Sequence, residues 1–343
     1  MARGLLDPGS PLAFRAYTTV ADQRLDGALL TERLDRALAV RARLFDPSTT
    51  AYRLVHGEGD RLPGITIDRY GPVAVLRPDG ETPWRFVAQH LDLLSAKLSE
   101  IGVRSLVLRD TRKSPGDGPR ITPLSGEPAS ERVTILEHGM AMEVDLAHGQ
   151  KTGAFLDQRE NRRRVRGWSS GRRTLNLFSY AGGFSVAAVL GGATEVTSVD
   201  IAQEAHKTAQ RSFAANGLSS RAHPFVTGDV FAFLEGAKKR GETWDLVICD
   251  PPSFASSEKQ KPAGLAAYKK LHRAAAGILA RDGWLCAASC SSHVGEADFL
   301  DTLRARAVGR TDLRLLETYG PPADHPTVPA FWEGRYLKFA VLA

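Results

Sequence analysis

Thr174-Leu-Asn-Leu-Phe-Ser-Tyr-Ala-Gly-Gly-Phe184 reads as an apolar strand that runs into a glycine pair and then into a helix over Ser185–Leu190. The pattern repeats downstream. Glu195-Val-Thr-Ser-Val-Asp200 is a second strand ending on a carboxylate, and Pro224 to Asp229 a third. Trp244-Asp-Leu-Val-Ile-Cys-Asp250 is a fourth, entering Pro251-Pro252-Ser253-Phe254. Strands alternating with helical stretches at this spacing predict a parallel sheet with crossover helices. Ligands of such sheets lie outside the carboxyl ends of the strands. The glycine pair, Asp200, Asp229 and Asp250 all fall at those ends.

The donors at that edge narrow the ligand. A dinucleotide fingerprint is G-x-G-x-x-G, which lets backbone approach a pyrophosphate at a helix N-terminus. Gly182-Gly183 has no third glycine at that spacing, and glycine at such a turn also serves positive φ alone. A carboxylate ending the second strand suits a ribose diol, and one ending the third could accept from an adenine amine. The set reads as a nucleoside cofactor without a pyrophosphate, which S-adenosylmethionine fits better than NAD.

Composition sets outer bounds. The chain has 343 residues, 43% hydrophobic and 24% charged, as in ordinary globular proteins. Two domains are the natural expectation at this length, with room for a small third. No apolar run approaches the roughly 18 residues of a membrane span, and the N-terminus lacks the apolar core of a signal peptide. The 3 cysteines show no C-x-x-C spacing, which argues against zinc and disulfides and for a reducing, cytoplasmic home. His138, His293 and His325 form no metal spacing either. A net charge of +6 permits a nucleic-acid partner without requiring one. Between Lys151 and Arg166 lie 6 basic residues and 2 acidic ones. On a helix starting near Leu156, Arg159, Arg162, Arg163 and Arg166 share a face, either a solvated one or a phosphate-contacting patch.

Several motifs, in order, resemble the class I methyltransferases that make 5-methylcytosine in large-subunit ribosomal RNA. They are Asn176–Phe184, Ser198-Val-Asp200, Asp229-Val-Phe231 and Asp250-Pro-Pro-Ser-Phe254. Ahead of them, Gly149–Arg162 is similar to that family's lead-in motif, and Tyr52–Arg69 to the start of its middle domain. Ser289-Cys-Ser291 matches the nucleophile motif, and Ala323-Asp-His-Pro326 with Tyr336-Leu-Lys338 the C-terminal end.

The fold class expected is α/β, a Rossmann-like class I methyltransferase domain preceded by a small α+β domain. Its sheet is expected to hold seven strands and to end in an antiparallel one. Residues 1–50 are expected to be the last strand of a PUA-type RNA-binding domain and a connecting amphipathic helix over Asp26–Phe45. Residues 51–146 form the central domain, with strands Ile65–Asp68, Val73–Leu76 and Ser105–Leu108 and a helix over Phe86–Ile101. An exposed loop follows over Asp110–Glu131, then Val133–Leu136 pairs with Met140–Leu146 across His138-Gly139. Residues 147–343 form the methyltransferase domain, adding helices over Lys261–Leu279 and Glu296–Ala307.

Carbon 5 of cytosine is barely nucleophilic, and a thiolate adding to carbon 6 activates it. Cys290 sits where that thiol is needed, whereas Cys249 and Cys286 lie inside apolar strands, where cysteine behaves as a small hydrophobe. Asp250 could hydrogen-bond the cytosine edge and, when protonated, assist the addition. Phe254 could stack on a flipped base, beside Pro251; the plainer alternative is a rigid prolyl turn that merely ends the strand. The resemblance implies that Gln158 and Arg159 face the cofactor's methionine end or the RNA, with Arg162 on the RNA side. Cofactor contacts are expected from Gln158, Asn176, Phe178, Ser179, Gly182, Gly183, Asp200, Ile201, Asp229, Val230 and Asp250. The partner expected is RNA, ribosomal RNA by the resemblance, with a homodimer left open and no membrane.

Overall fold

The computed structural model describes residues 2–10, 12–109 and 120–343, apart from the side chain of Trp332. Two compact units divide the chain. One holds the residues up to Leu156 together with Ala323–Phe331, the other Asp157–Pro322 together with Trp332–Ala343.

In the first unit, β1 (Arg3–Leu6) and β2 (Phe14–Thr18) form an antiparallel pair. The helix α1 (Gly27–Leu44) is capped by Asp26, whose carboxylate accepts the Ala28 and Leu29 N–H groups. Leu29, Leu30, Leu34 and Ala37 are its buried apolar stripe. Next come β3 (Ala51–His56), β4 (Ile65–Tyr70) and β5 (Val73–Pro78). The helix expected over Phe86–Ile101 is instead two, α2 (Glu81–Ala88) and α3 (Leu91–Glu100). Each buries its own apolar pair, Phe86 with Val87 and Leu94 with Leu98, so the stripe looks continuous across the break. Then β6 (Ser105–Arg109) and β7 (Ile121–Gly126) complete a five-stranded sheet of order β3-β4-β5-β6-β7.

The strand β7 corrects the loop expected over Asp110–Glu131, of which residues 110–119 lie outside the described residues. It carries Pro123, which a sheet tolerates at its edge. The hairpin of β8 (Arg132–Glu137) and β9 (Met140–Asp145) turns at His138-Gly139, both at positive φ, as that pair of residues suggests. The Asp68 carboxylate, fully buried on β4, accepts Arg53 Nε at 2.8 Å, Arg53 Nη2 at 2.9 Å and the Thr152 hydroxyl at 2.6 Å. The Tyr70 hydroxyl, 2.8 Å from Thr152 Oγ1, also accepts the Ala154 N–H, so the Lys151–Ala154 stretch is held to this sheet.

The second unit opens with α4 (Arg159–Trp168), β10 (Arg173–Leu177), α5 (Gly183–Leu190) and β11 (Glu195–Asp200). It continues through α6 (Gln203–Ala215), β12 (Phe225–Thr227), α7 (Val230–Lys239), β13 (Trp244–Cys249) and α8 (Lys261–Ala276). The helix α8 stops at Ala276 because Gly277 ends it, and β14 (Leu279–Ser289) therefore starts earlier than the sequence suggests. The helix expected over Glu296–Ala307 is broken into α9 (Glu296–Asp301) and α10 (Ala305–Val308) by Arg304 at ψ 148°. The strands β15 (Leu315–Tyr319) and β16 (Lys338–Leu342) close the chain.

These strands form the expected seven-stranded sheet, in order β12-β11-β10-β13-β14-β16-β15. All neighbours pair parallel except β16, antiparallel to both β14 and β15. The antiparallel strand lies inside the sheet, not at its edge. Burial explains the order: every residue of Lys338–Leu342 is buried, as in an interior strand, while Leu315–Tyr319 is largely exposed, as at an edge. Alternate strand residues feed two cores. Leu175, Leu177, Val247, Cys249 and Leu285 pack against α7 and α8; Leu246, Ile248, Cys286, Phe339 and Val341 pack against α4 and α5. Among the described residues no helix is long and apolar enough to cross a membrane.

Candidate active site

The second unit's strand order reverses between β10 and β13, which opens a crevice at their carboxyl ends. Into it the chain places a strained turn. Phe178 and Tyr180 adopt φ 58° and 45°, and Gly182, at φ 74°, caps α5. Non-glycine residues at positive φ cost about 1–3 kcal/mol each and persist where surroundings over-determine them. Asp200 is that surrounding. Its Oδ2 accepts the Tyr180 N–H and its Oδ1 the Ala202 N–H, each at 2.8 Å, while the Ser179 N–H reaches Val199 O at 3.0 Å. Below the turn, Asn176 Nδ2 donates to Ser185 Oγ at 2.8 Å, and Ser185 Oγ lies 2.7 Å from Ser198 Oγ. Ser179 Oγ lies 3.3 Å from His206 Nε2, whose Nδ1 is 3.2 Å from Thr227 Oγ1. Burial lowers the His206 pKa, so the ring is neutral at physiological pH and donates at one nitrogen while accepting at the other.

These residues suit the cofactor. Each Asp200 oxygen keeps an acceptor lone pair after its backbone bond, which fits a ribose diol. Beside it Ile201 is 76% exposed, a large apolar side chain in want of a planar cover. Asp229 caps α7 through the Ala232 N–H at 2.8 Å yet stays exposed, with a carboxylate facing solvent. Val230 is buried in the core and can contribute backbone only. Gly182 serves packing as well as φ, since a Cβ there would lie 2.6 Å from the Ala209 Cβ.

Across the crevice, Gln158 Nε2 donates to Asp250 Oδ1 at 2.9 Å. Asn161 Nδ2 donates to Gln158 Oε1 at 2.7 Å, and Arg164 Nη1 to Asn161 Oδ1 at 3.3 Å. A guanidinium can only donate, so the whole chain has one polarity, and Asp250 Oδ1 is held as an acceptor. The same helix corrects the basic-face expectation. Arg159 and Arg162 are 1% and 5% exposed, and Arg159 Nε reaches Glu160 at 3.2 Å. Of the four arginines expected on one face, Arg163 alone is exposed, with Arg166 half-buried. A mean of sequence spacing could not see that the neighbours of α4 bury part of that face.

Cys290 follows β14 immediately and is half-buried. In the sheet, Cys249 pairs with Ala287, so Asp250 and Cys290 leave adjacent parallel strands at the same edge. A 2.9 Å contact between Ser253 Oγ and Ser291 Oγ ties the two loops, and Tyr268 Oη sits 3.0 Å from the same Ser291 oxygen. Cys249 and Cys286 are fully buried, and burial pushes both thiols up, Cys286 to about 12. Pro251 is buried. The Phe254 ring is half-buried, edge-on to Phe178 at 6.4 Å and 4.8 Å from the Tyr268 ring. Gly264 of α8 lets the loop sit close, since a Cβ there would meet Phe254 O at 2.8 Å. Lys338 Nζ, which sequence reasoning left out of the site, donates to Ser291 O and Tyr336 O, each at 2.7 Å. Its signal in the sequence was a lysine heading an otherwise apolar strand.

The first unit accounts for the Ala323–Pro326 motif. Arg53 N–H donates to Asp324 Oδ2 at 2.9 Å, Arg41 Nη2 to Asp324 O at 2.8 Å, and the His325 ring lies 5.0 Å from that of His56. These are buried structural contacts. A cavity of about 610 Å³ in this unit is lined by Arg33, Arg36, Arg41, Arg61, Glu32 and Asp60 among others, and by none of the expected site residues.

Known proteins agree with this architecture. The profile of the S-adenosylmethionine-dependent methyltransferase family matches residues 87–338. A ribosomal RNA large subunit methyltransferase of Deinococcus radiodurans is 41% identical over 100% of this chain and 85% of its own length. Ribosomal RNA large subunit methyltransferase I of Escherichia coli is 36% identical over 98% of this chain and 86% of its own. A methyltransferase of Streptococcus mutans, 28% identical, superposes with a TM-score of 0.84 over 96% of this chain and 84% of its own. The methyltransferase SMU.776, solved in complex with SAH, does so at 0.85 over 96% and 85%, with 28% identity. With the carboxylate edge and the sheet order in place, the chain belongs to the S-adenosylmethionine-dependent methyltransferases.

Proposed function

We propose that this enzyme methylates carbon 5 of a cytosine in large-subunit ribosomal RNA, with Cys290 as nucleophile and Asp250 as the group that orients the base. The observation that carries the reading is the emergence of a half-buried thiol and a carboxylate from adjacent strand ends, tied together through Ser253 and Ser291. Cys249 and Cys286 are no rivals, since burial holds both in the thiol form. The names of the Deinococcus and Escherichia relatives support ribosomal RNA as the substrate.

S-adenosylmethionine, when bound, supplies an electrophilic methyl on a positively charged sulfur; Asp200, Asp229 and the turn over Phe178–Gly183 would hold it. The Cys290 thiolate forms a bond to carbon 6 of the ring, and the electron pair of the 5,6 double bond moves to carbon 5. Asp250 Oδ1 is occupied by Gln158 as an acceptor, so a proton taken up by this carboxyl sits on Oδ2 and can be shared with the ring edge. That pair at carbon 5 would form the bond to the methyl, the carbon–sulfur pair leaving with the cofactor's sulfur as a neutral thioether; loss of the carbon 5 proton to a base then restores the double bond and expels the Cys290 thiolate. Pro251 and Phe254 form the wall beside a base turned out of its stack, and Arg163 is the exposed cation of α4 available to RNA phosphate.

Mass spectrometry of nucleosides from ribosomal RNA incubated with methyl-labelled cofactor tests this. Label in 5-methylcytidine that disappears in Cys290→Ala and Cys290→Ser is expected. Label in a different nucleoside, or label indifferent to Cys290, would overturn it.

A further inference from the structure

We propose that Lys338 is a positioning residue for Cys290, an ammonium built into the sheet to stabilise the thiolate before substrate arrives. The inference rests on the reading of Cys290 as nucleophile and extends it to how that thiol is activated.

The placement follows from register. In the antiparallel pairing of β14 with β16, Ser289 lies opposite Lys338, one residue before Cys290. The Lys338 side chain is not splayed to solvent; the residue is 6% exposed. Its Nζ bonds Ser291 O, one residue after Cys290, and Tyr336 O, each at 2.7 Å. The ammonium is thus held at the carbonyl of Ser291, the residue after Cys290, and at that of Tyr336. Two of its three N–H groups are spent on carbonyls, and no carboxylate pairs with it among the described residues. A buried cation with no carboxylate in contact is costly, and an anion forming at residue 290 would offset that cost.

Electrostatics runs the same way. Burial lowers the Lys338 pKa to about 8, while Cys290 and Glu296 pull it back up. Such coupling is reciprocal: a thiolate that favours the ammonium is favoured by it in equal measure. The other groups around the pair do not substitute for it. Tyr268 of α8 is held neutral by burial, Glu296 of α9 and Asp250 beyond β13 are acids, and His293 lies 3.5 Å from Glu258. Among these named groups Lys338 is the one cation bonded to the backbone beside the thiol.

The test reads the thiol without requiring methyl transfer. Iodoacetamide alkylation of Cys290 in the full chain is followed by peptide mass spectrometry against pH, for the wild type, Lys338→Met and Lys338→Arg. Cys249 and Cys286 serve as internal controls, being buried thiols with raised pKa. Lys338→Met is expected to raise the alkylation midpoint by about one pH unit, which is about tenfold less thiolate below it. Lys338→Arg, which keeps the charge, is expected to recover part of the shift. A midpoint unchanged in Lys338→Met, with melting curves showing a folded chain, would overturn the proposal, as would a Cys290 that never alkylates. Retention of 5-methylcytidine in Cys290→Ala would instead sink the catalytic reading while leaving the thiol–ammonium coupling intact. Should Lys338→Met fail to fold, Lys338→Gln, with a polar head for the same carbonyls, carries the same midpoint criterion.

Discussion

Gln158 gives its carboxamide N–H to Asp250 Oδ1 at 2.9 Å, and Asn161 fixes which end of that amide faces the acid by donating to Gln158 Oε1 at 2.7 Å. The acid at the end of β13 is therefore oriented by a relay from α4, which sets its hydrogen-bonding polarity in advance. Preorganisation of this kind is what lets a carboxyl act without first being turned.

Replacing Gln158 by Leu removes the donor to Asp250 and leaves Asn161 Nδ2 without its acceptor. Loss of a hydrogen bond to the charged form raises a carboxyl's pKa. Because the proposed step uses the protonated carboxyl, the alkaline limb of the pH–rate profile for methyl transfer should move upward, with kcat lower by about 10- to 100-fold. An unshifted profile would mean that Asp250 is oriented by other contacts.

Asp200→Asn keeps an oxygen for one loop amide but turns an NH2 toward a backbone N–H that now has no acceptor. Donor opposite donor costs about 1–3 kcal/mol. Affinity for S-adenosylhomocysteine, measured by titration calorimetry, should fall by about 10- to 100-fold. Equal affinity would remove Asp200 from the cofactor site.

Gly182→Ala puts a Cβ at φ 74° and 2.6 Å from the Ala209 Cβ. Strain and overlap together should destabilise the second unit by about 2–4 kcal/mol, visible as a lower melting temperature. A wild-type melting curve would show that the turn has room to relax.

The ion pair of Arg53 with Asp68 lies in the first unit, where Asp68 is fully buried. Asp68→Ala leaves a partly buried guanidinium without this anion and should cost about 3 kcal/mol in denaturant titration. The double variant Arg53→Met with Asp68→Leu should recover much of that loss. If the double variant is the worse of the two, the pair is net stabilising.

His272 is fully buried on α8, with Nδ1 at 2.9 Å from Thr302 Oγ1, and burial lowers its pKa from 6.5 to about 3. The folded state then binds fewer protons than the unfolded state between those values. Stability should fall as pH drops below about 6.5 and stop falling, on this account, near pH 3. The loss is at most about 1.4 kcal/mol per pH unit from this one group. His272→Gln keeps a partner for Thr302 and should flatten the acid slope; an unchanged slope would assign it to other residues.

The sequence alone determined the second unit's sheet and which residues stand at its carboxyl edge, because strand periodicity is local and each strand declares its own end. Asp200, Asp229 and Asp250 could be placed at the carboxyl edge from alternation and turn residues alone, as could Cys290 after an apolar run. What depends on neighbours far along the chain was not legible. Arg159 and Arg162 have the spacing of a solvated face, yet packing against other elements buries them. Phe86–Ile101 carries one apolar stripe and makes two helices, since a break of two residues leaves the stripe intact. Lys338 is a single lysine heading an apolar strand, and only the pairing of β16 with β14 brings its ammonium to the carbonyl of Ser291, beside Cys290. Periodicity records which way a side chain points; tertiary structure decides what it meets there.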